Sequence, residues 1–346
     1  MNKPLIKPKK IKALLLFSGG LDSLLSAKIL EQQGIKTDLI TFIGFFFNAK
    51  EAKKSAKILG KKLRIMDISK KHFNIVKNPK HGRGKGLNPC TDCHLLMVKE
   101  AKKIMMSEGY QILATGEVAG QRPMSQQSRQ LKLIEKNAGL KNKILRPLSA
   151  LILEETIYEK QKLVDRKKLF GITGRSRKEQ IKLAKKFGIK NYPTPAGGCI
   201  LTDLNFTKKL KSVIDKKLDK NDIELLRVGR HYEEDGIKII IGRDNCENLK
   251  LQKLTKPADI LMEAAEEKGP LTLIRFYGKN YSPKKICHSE KIFHPGKNCH
   301  PELVSGSLKK AAELTKHHST KTRNLDKVKI RYWNKGNKKN FKTIEI

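Results

Sequence analysis

The string Ser18-Gly19-Gly20-Leu21-Asp22-Ser23 constrains this chain more than any other. It follows a strand-like apolar run at 12–17 and opens a helical stretch at 21–33. A strand, a Gly-rich turn and then a helix form a device for holding phosphate. Glycines let the backbone turn tightly and bring N–H groups against phosphate oxygens. The helix points its N-terminus at the same place, where negative charge is favoured. Ser18 and Ser23 can add hydroxyl donors. Asp22 is unsuited to bare phosphate, so it reads as acting through Mg²⁺ or through the loop backbone. A Gly-Gly pair alone would fit an ordinary turn; the six-residue string at the first strand–helix junction is the specific signal.

The same alternation continues along the chain. Strand-like runs at 37–43, 63–68 and 112–115 are separated by helical patterns at 49–59 and 91–107, and a further helix is expected at 176–187. This predicts an α/β domain with a doubly wound, mostly parallel sheet. Pro and Gly break the pattern at 191–198, and a helix at 204–218 is expected to follow. From 222 the character changes to strands at 223–228, 237–242 and 271–276, then a helix at 309–317 and a strand at 327–333. The expected division is a catalytic domain over 1–205 and a smaller α+β domain over 206–346. A segment at about 280–307 collects Cys287, His288, His294, Cys299 and His300 without periodicity and reads as a mobile insertion. Its words at 299–307 resemble a peptide that dispersed genomic repeats encode in some bacteria.

The chain carries 74 Lys+Arg against 34 Asp+Glu, a net charge of +40. An excess of that size suits a phosphate-rich partner such as nucleic acid, although a lysine-rich proteome would contribute to it. No apolar run approaches the roughly 18 residues of a membrane span. The basic start followed by the run at 13–17 is too short for a signal peptide, whose apolar core needs roughly 7–15 residues. A cytoplasmic protein is expected, and its six cysteines read as metal or thiol chemistry rather than disulfides.

Cys90 and Cys93 form a CxxC pair at the start of the expected helix 91–107, behind the basic Gly-rich loop 77–86. A helix N-terminus and basic neighbours lower a thiol pKa, which predicts reactive thiolates. Cys199 follows a Gly-rich turn, and only folding could bring it to the pair. Three functions compete: a persulfide/disulfide couple of Cys93 and Cys199, a [4Fe–4S] cluster held by Cys90, Cys93 and Cys199, or half of a zinc site with His94. Cysteines acting merely as small buried hydrophobes are the bland alternative.

Other candidates lie at strand and helix ends. Thr115 and Gly116 end a strand whose edge should line the ligand crevice. Gln121, Arg122, Ser125 and Gln126 could face adenine or RNA. Arg175 and Arg177 could grip RNA phosphate, or be solvated beside a helix cap. Arg83 and Lys85 of the basic loop join them as candidate RNA contacts.

These motifs carry a resemblance. Ser18–Ser23 resembles the SGGxDS loop of the N-type ATP pyrophosphatase, or PP-loop, family, and no Walker GK[ST] is present. The loop, Asn88-Pro89 with Cys93 and the later Gly-rich Cys199 turn resemble tRNA thiouridylases. Thr115-Gly116-Glu117 with Gly120-Gln121 and Ser125-Gln126 resembles the TGExxGQxxSQ stretch of tRNA 4-thiouridine synthases. The resemblance covers roughly 10–205. It implies a Rossmann-like PP-loop fold that binds ATP at Ser18, Gly19, Gly20, Asp22, Ser23, Thr115 and Gly116. It implies transfer of AMP to a substrate oxygen with release of pyrophosphate, and catalytic roles for Cys93, Cys199 and Asp22. Cys90 is extra to the 2-thiouridylase pattern and favours a cluster-binding relative. No segment resembling the RNA-binding THUMP region of 4-thiouridine synthases is expected among the residues before the loop.

Val228-Gly229-Arg230, Ile241-Gly242-Arg243 and Pro270–Arg275 resemble the RNA-binding domain of NFACT-type proteins, which makes Arg230, Arg243 and Arg275 candidate phosphate contacts. The combined expectation is an ATP-dependent tRNA sulfurtransferase using a sulfur donor such as a cysteine desulfurase or sulfide. A ligase that adenylates a small acid would need neither three cysteines nor such charge. A non-catalytic RNA-binding protein would not need an intact phosphate loop.

Overall fold

Along the first strand, side chains alternate between two apolar faces, and each face is covered by helices. The computed structural model describes residues 11–194, 198–234, 236–277 and 301–346. The chain divides into two compact units, Met1–Leu204 and Asn205–Ile346.

In the first unit, β1 (Lys12–Leu16), β2 (Lys36–Ile43), β3 (Leu63–Asp67) and β4 (Ile112–Thr115) form a parallel sheet in the order β3-β2-β1-β4. Ala13, Leu15 and Phe17 pack with α1 (Leu21–Gln32), α2 (Lys50–Ile58) and α7 (Lys178–Lys186). Leu14 and Leu16 pack with α4 (Cys90–Glu108) and α5 (Ser128–Ala138). Short helices α3 (Ser69–Lys77) and α6 (Ile157–Lys160) complete the unit. The expected doubly wound α/β architecture is therefore present. The chain steps outward from β1 to β3 and then returns to place β4 on β1's other side. That reversal opens a crevice at the C-terminal ends of β1 and β4, where such sheets bind ligands.

The helix α1 departs from the amphipathic expectation. Leu21, Leu24, Leu25, Ala27, Ile29 and Leu30 are all buried. It lies against α7 as well as the sheet, so almost none of its surface needs to be polar.

The second unit holds α8 (Leu204–Lys211), α9 (Lys220–Leu225), β5 (Arg230–Glu234), β6 (Ile237–Ile241), α10 (Asn245–Leu254), β7 (Ile260–Ala264), β8 (Thr272–Phe276), α11 (Pro301–His318), β9 (Lys329–Asn334) and β10 (Lys342–Glu345). Its strands form an antiparallel sheet ordered β10-β9-β7-β8-β6-β5. Ile237, Ile239, Ile260 and Ile274 pack with Ala311 and Ala312 of α11. Ile240, Leu261 and Leu273 pack with Leu225 and Leu251.

The expected strand at 223–228 is instead α9 and the turn after it. Asp219 accepts from the Asp222 N–H at 2.9 Å, and Asp222 accepts from the Asp219 N–H at 3.0 Å. This reciprocal cap starts a helix where an apolar run alone suggested a strand. The helix expected over 204–218 ends at Lys211, and that expected at 309–317 begins at Pro301. Of the proposed insertion, residues 280–300, with Cys287, His288, His294, Cys299 and His300, lie outside the described residues.

One expected RNA contact is corrected here. Arg275 is 3% exposed, and its guanidinium is enclosed by carboxylates. It donates to Asp259 at 3.0 and 2.6 Å, Asp222 at 2.9 Å, Asn221 at 2.8 Å and the Leu254 carbonyl at 2.8 Å. It ties α9, β7 and β8 together and has no nitrogen to offer a phosphate. Arg243 is more exposed but pairs with Glu247, at 2.9 Å from Nε. Arg230 is exposed at the start of edge strand β5.

Among the described residues no helix is long and apolar enough to cross a membrane.

Candidate active site

The phosphate loop leaves β1 and turns back on itself through its own hydroxyls. Gly19 N–H donates to Ser23 Oγ at 3.1 Å, Ser23 Oγ donates to the Gly20 carbonyl at 2.8 Å, and Gly20 N–H donates to Ser18 Oγ at 3.3 Å. Gly19 has φ +83°, and a Cβ there would lie 2.5 Å from Ala52 N and Glu51 C. Only glycine fits. Gly20 differs: its φ is −74°, and a Cβ would meet only Ser18 Oγ at 3.5 Å. Gly20 caps α1 without a side-chain hydrogen bond, so the first-turn N–H groups remain for another acceptor.

The end of β4 meets this loop. A Cβ on Gly116 would lie 2.7 Å from Ser23 N and Cα, so the absence of a side chain lets the two backbones touch. The Thr115 hydroxyl, expected at the nucleotide, is instead buried and donates to Glu117 Oε2 at 3.1 Å. Gln121 donates to Asp22 Oδ2 at 3.1 Å. Burial raises the Asp22 carboxyl, and Gln121, Arg177, Arg122 and Gln180 oppose that rise.

Sequence reasoning missed a buried ionic chain next to it. Glu117 accepts from Arg146 Nε at 3.0 Å, and its other oxygen lies 2.8 Å from His94 Nδ1. Arg146 also pairs with Glu135. Burial would lift the Glu117 carboxyl, but Arg146 and His94 outweigh it and hold the group down at about 2. The available signal was an arginine set in an otherwise apolar run, Ile144-Leu145-Arg146-Pro147-Leu148.

Through His94 this chain reaches the cysteine helix. Cys90 is the first residue of α4, and Asn88 Nδ2 donates to its Sγ at 3.3 Å. Thr91 Oγ1 donates to the Met124 carbonyl at 2.7 Å, fixing the start of α4 to the loop that carries Gln121. Leu87 N–H donates to the Leu201 carbonyl at 2.9 Å and brings the Cys199 turn alongside. The three cysteines stand close enough to influence one another's ionisation. At Cys93 and Cys199 the structure departs from the expected reactive thiolates. Burial pushes the Cys93 thiol up, with Cys199 and Cys90 adding to the rise, and burial likewise raises Cys199. Desolvation of the thiolate outweighs the favourable helix terminus. Among the described residues, no set of three or more His, Cys, Asp or Glu is arranged to hold a metal ion.

The remaining candidates are scattered. Arg83 donates to the Val76 and Lys77 carbonyls at 3.0 and 2.8 Å and so closes the end of α3. Lys85, Arg122 and Arg175 are exposed, and Arg177 is half-buried.

Residues 9–165 match the family model described as thiamine biosynthesis protein (ThiI). The match lies within the N-terminal unit. The resemblance to PP-loop, thiouridylase-like proteins holds over that stretch. Two solved structures are similar to the chain. One is a predicted subunit of a tRNA methyltransferase from Methanocaldococcus jannaschii, at 22% identity and TM-score 0.33, covering 51% of this chain and 76% of that one. The other is a 4-thiouridine synthetase–RNA complex with bound ATP, at 21% identity and TM-score 0.36, covering 62% of this chain. The chain spans 52% of that synthetase's length. No curated protein matches the chain.

Proposed function

We propose that the protein is a cytoplasmic ATP-dependent tRNA sulfurtransferase that thiolates uridine. The observation that carries this reading is the Gly116–Glu117 step. Gly116 lies against the phosphate loop, while Glu117 holds His94 of the cysteine helix. Two adjacent residues thus link the loop to the cysteine helix, which supports activation and sulfur delivery at one place.

ATP binds with its β- and γ-phosphates on the loop of Gly19, Gly20 and Ser23 and the first turn of α1. Glycine at 20 keeps that face open. The buried Asp22 Oδ1, which has no partner within the protein, fits a place beside Mg²⁺ on the phosphates, where the ion would offset their charge. The uridine carbonyl oxygen attacks the α-phosphorus, and pyrophosphate leaves. Preorganised N–H donors are the main source of stabilisation for such charge. Sulfur then replaces the adenylated oxygen, and AMP carries that oxygen away.

The proposed delivery runs through the thiols of Cys93 and Cys199, which lie near enough to act on one another's ionisation. A donor such as a cysteine desulfurase loads Cys93 with a persulfide. Cys199 attacks its inner sulfur and forms a disulfide, while the outer sulfur leaves as sulfide to the activated carbon. A small thiol reductant restores the pair. The +40 charge and the second unit, with Arg230 on its edge strand, support tRNA as the acceptor.

The test is pyrophosphate release with and without tRNA, followed by mass analysis of the tRNA nucleosides. tRNA-stimulated release and a uridine heavier by the oxygen-to-sulfur exchange are expected. No release with any tRNA overturns the reading; release driven by a small acid instead identifies a ligase.

A further inference from the structure

Several polar groups from separate segments converge around Asp22, and three of their atoms have no partner. Asp22 Oδ2 is held by Gln121, but Oδ1 is buried and unpartnered. Gln180 on α7 is 0% exposed and near enough to act on the Asp22 carboxyl, but it closes no well-formed hydrogen bond there, and its amide nitrogen and oxygen are left unpaired. Buried polar atoms are nearly always satisfied, so this cluster marks a place that something else completes. Arg122 and Arg177 also stand near enough to act on the Asp22 charge.

The backbone joins the two arginine segments into one edge. Ala119 and Thr173 pair in an isolated parallel bridge. Gly174 N–H donates to the Ala119 carbonyl at 2.8 Å, and Thr173 Oγ1 donates to the same carbonyl at 3.0 Å. From this junction one strand of chain runs to Gln121 and Arg122, the other to Arg177 and Gln180. The helix α7 then packs on α1. Two guanidinium groups and an uncapped helix N-terminus set against one carboxylate leave a positive site for a multiply charged anion.

We propose that Arg177 and Gln180 form the second half of the phosphate site, with Arg122 at its rim. Arg177 stabilises the charge that collects on departing pyrophosphate, and Gln180 orients the Asp22 carboxylate. This deepens the ATP reading above and rests on it. It moves Arg122 and Arg177 from RNA backbone to nucleotide phosphate, and adds a residue that no motif marked.

The experiment uses the full chain, with Arg177→Gln, Arg177→Lys, Gln180→Leu, Gln180→Glu and, as comparison, Arg175→Gln. Pyrophosphate, Mg-ATP and tRNA are titrated separately by calorimetry, and pyrophosphate release is measured against ATP concentration. Arg177→Gln should lower kcat by about 10²–10³-fold and weaken pyrophosphate binding, with tRNA affinity little changed. Arg177→Lys should restore part of both. The two Gln180 variants should lose ATP affinity, and Gln180→Glu keeps the side chain's shape where Gln180→Leu fails to fold. Arg177→Gln that weakens tRNA but leaves pyrophosphate affinity and kcat intact overturns the assignment in favour of an RNA grip. Unchanged ATP affinity in both Gln180 variants removes that residue from the site. The titrations need no turnover. Wild type that binds ATP and pyrophosphate but never acts on tRNA would sink the sulfurtransferase reading, while the variants would still decide this one.

Discussion

The backbone of Gly116 rests on that of Ser23: a Cβ at residue 116 would lie 2.7 Å from both Ser23 N and Cα. The first turn of α1 is thereby seated on the end of β4, and the phosphate loop and the Glu117–His94 pair become parts of one surface. Neither backbone can retreat easily, because Ser23 lies in the first turn of a buried helix and Thr115 ends a buried strand. Gly116→Ala should destabilise the protein by about 1–3 kcal/mol through overpacking. It should also weaken ATP binding more than that loss explains. Thermal melts and calorimetric ATP titration check this; an alanine variant with wild-type ATP affinity would show that the contact is only structural.

The two loop glycines should separate in behaviour. Gly19→Ala forces a left-handed residue and drives a methyl into the backbone of α2, so folding itself should suffer. Gly20→Ala meets only ordinary contact and should keep the melting temperature while losing nucleotide affinity. Equal melting losses in both variants would contradict this division.

Glu117 should make stability depend on acid. Its folded carboxyl sits at about 2, below its ordinary value near 4.5, because Arg146 and His94 outweigh burial. A depressed carboxyl contributes stability that is complete above the ordinary value and fades as pH falls through the folded value. The contribution is on the order of 3 kcal/mol. Denaturant titrations between pH 6 and about pH 2.5 should show the loss in wild type and a shallower one in Glu117→Gln. At neutral pH that variant should be less stable by roughly 3–5 kcal/mol, since Arg146 keeps its charge without this partner.

The Cys93 thiol should resist alkylation. Burial and the neighbouring thiols raise it, so little thiolate exists at neutral pH. Mass-spectrometric mapping after iodoacetamide should find exposed Cys246 labelled before Cys93. Cys93 labelling should climb steadily as the medium becomes alkaline. Fast labelling of Cys93 at neutral pH would be falsifying evidence against a raised thiol.

Arg275 should matter to folding and not to RNA. Arg275→Ala leaves the buried Asp259 carboxylate without its counter-charge and Asp222 with Lys256 alone, and should cost roughly 3–5 kcal/mol. Arg230→Ala, on the exposed edge, should leave the melting temperature alone and weaken tRNA binding with a smaller salt dependence. Filter binding across salt concentrations compares the folded Arg230 variant with wild type, and an unaltered salt slope would exclude that arginine.

The sequence by itself determined the parallel α/β unit and the place of its loop. Alternation of apolar strands and helices is a local signal, and Ser18–Ser23 carries its geometry in its own residue types. It also marked Cys90, Cys93 and Cys199, but not their ionisation, which depends on how deeply folding buries sulfur. The α9 cap at Asp219 and Asp222 was legible, yet an apolar run with no clear period outweighed it. Only the tertiary structure decided that Gly116 touches Ser23, that Glu117 joins Arg146 to His94, and that Gln180 ends beside Asp22. It also turned Arg275 from a candidate RNA contact into a buried tie. These outcomes depend on which distant segments meet in the folded chain. A charged residue carries no local mark of whether solvent, phosphate or a buried carboxylate will face it.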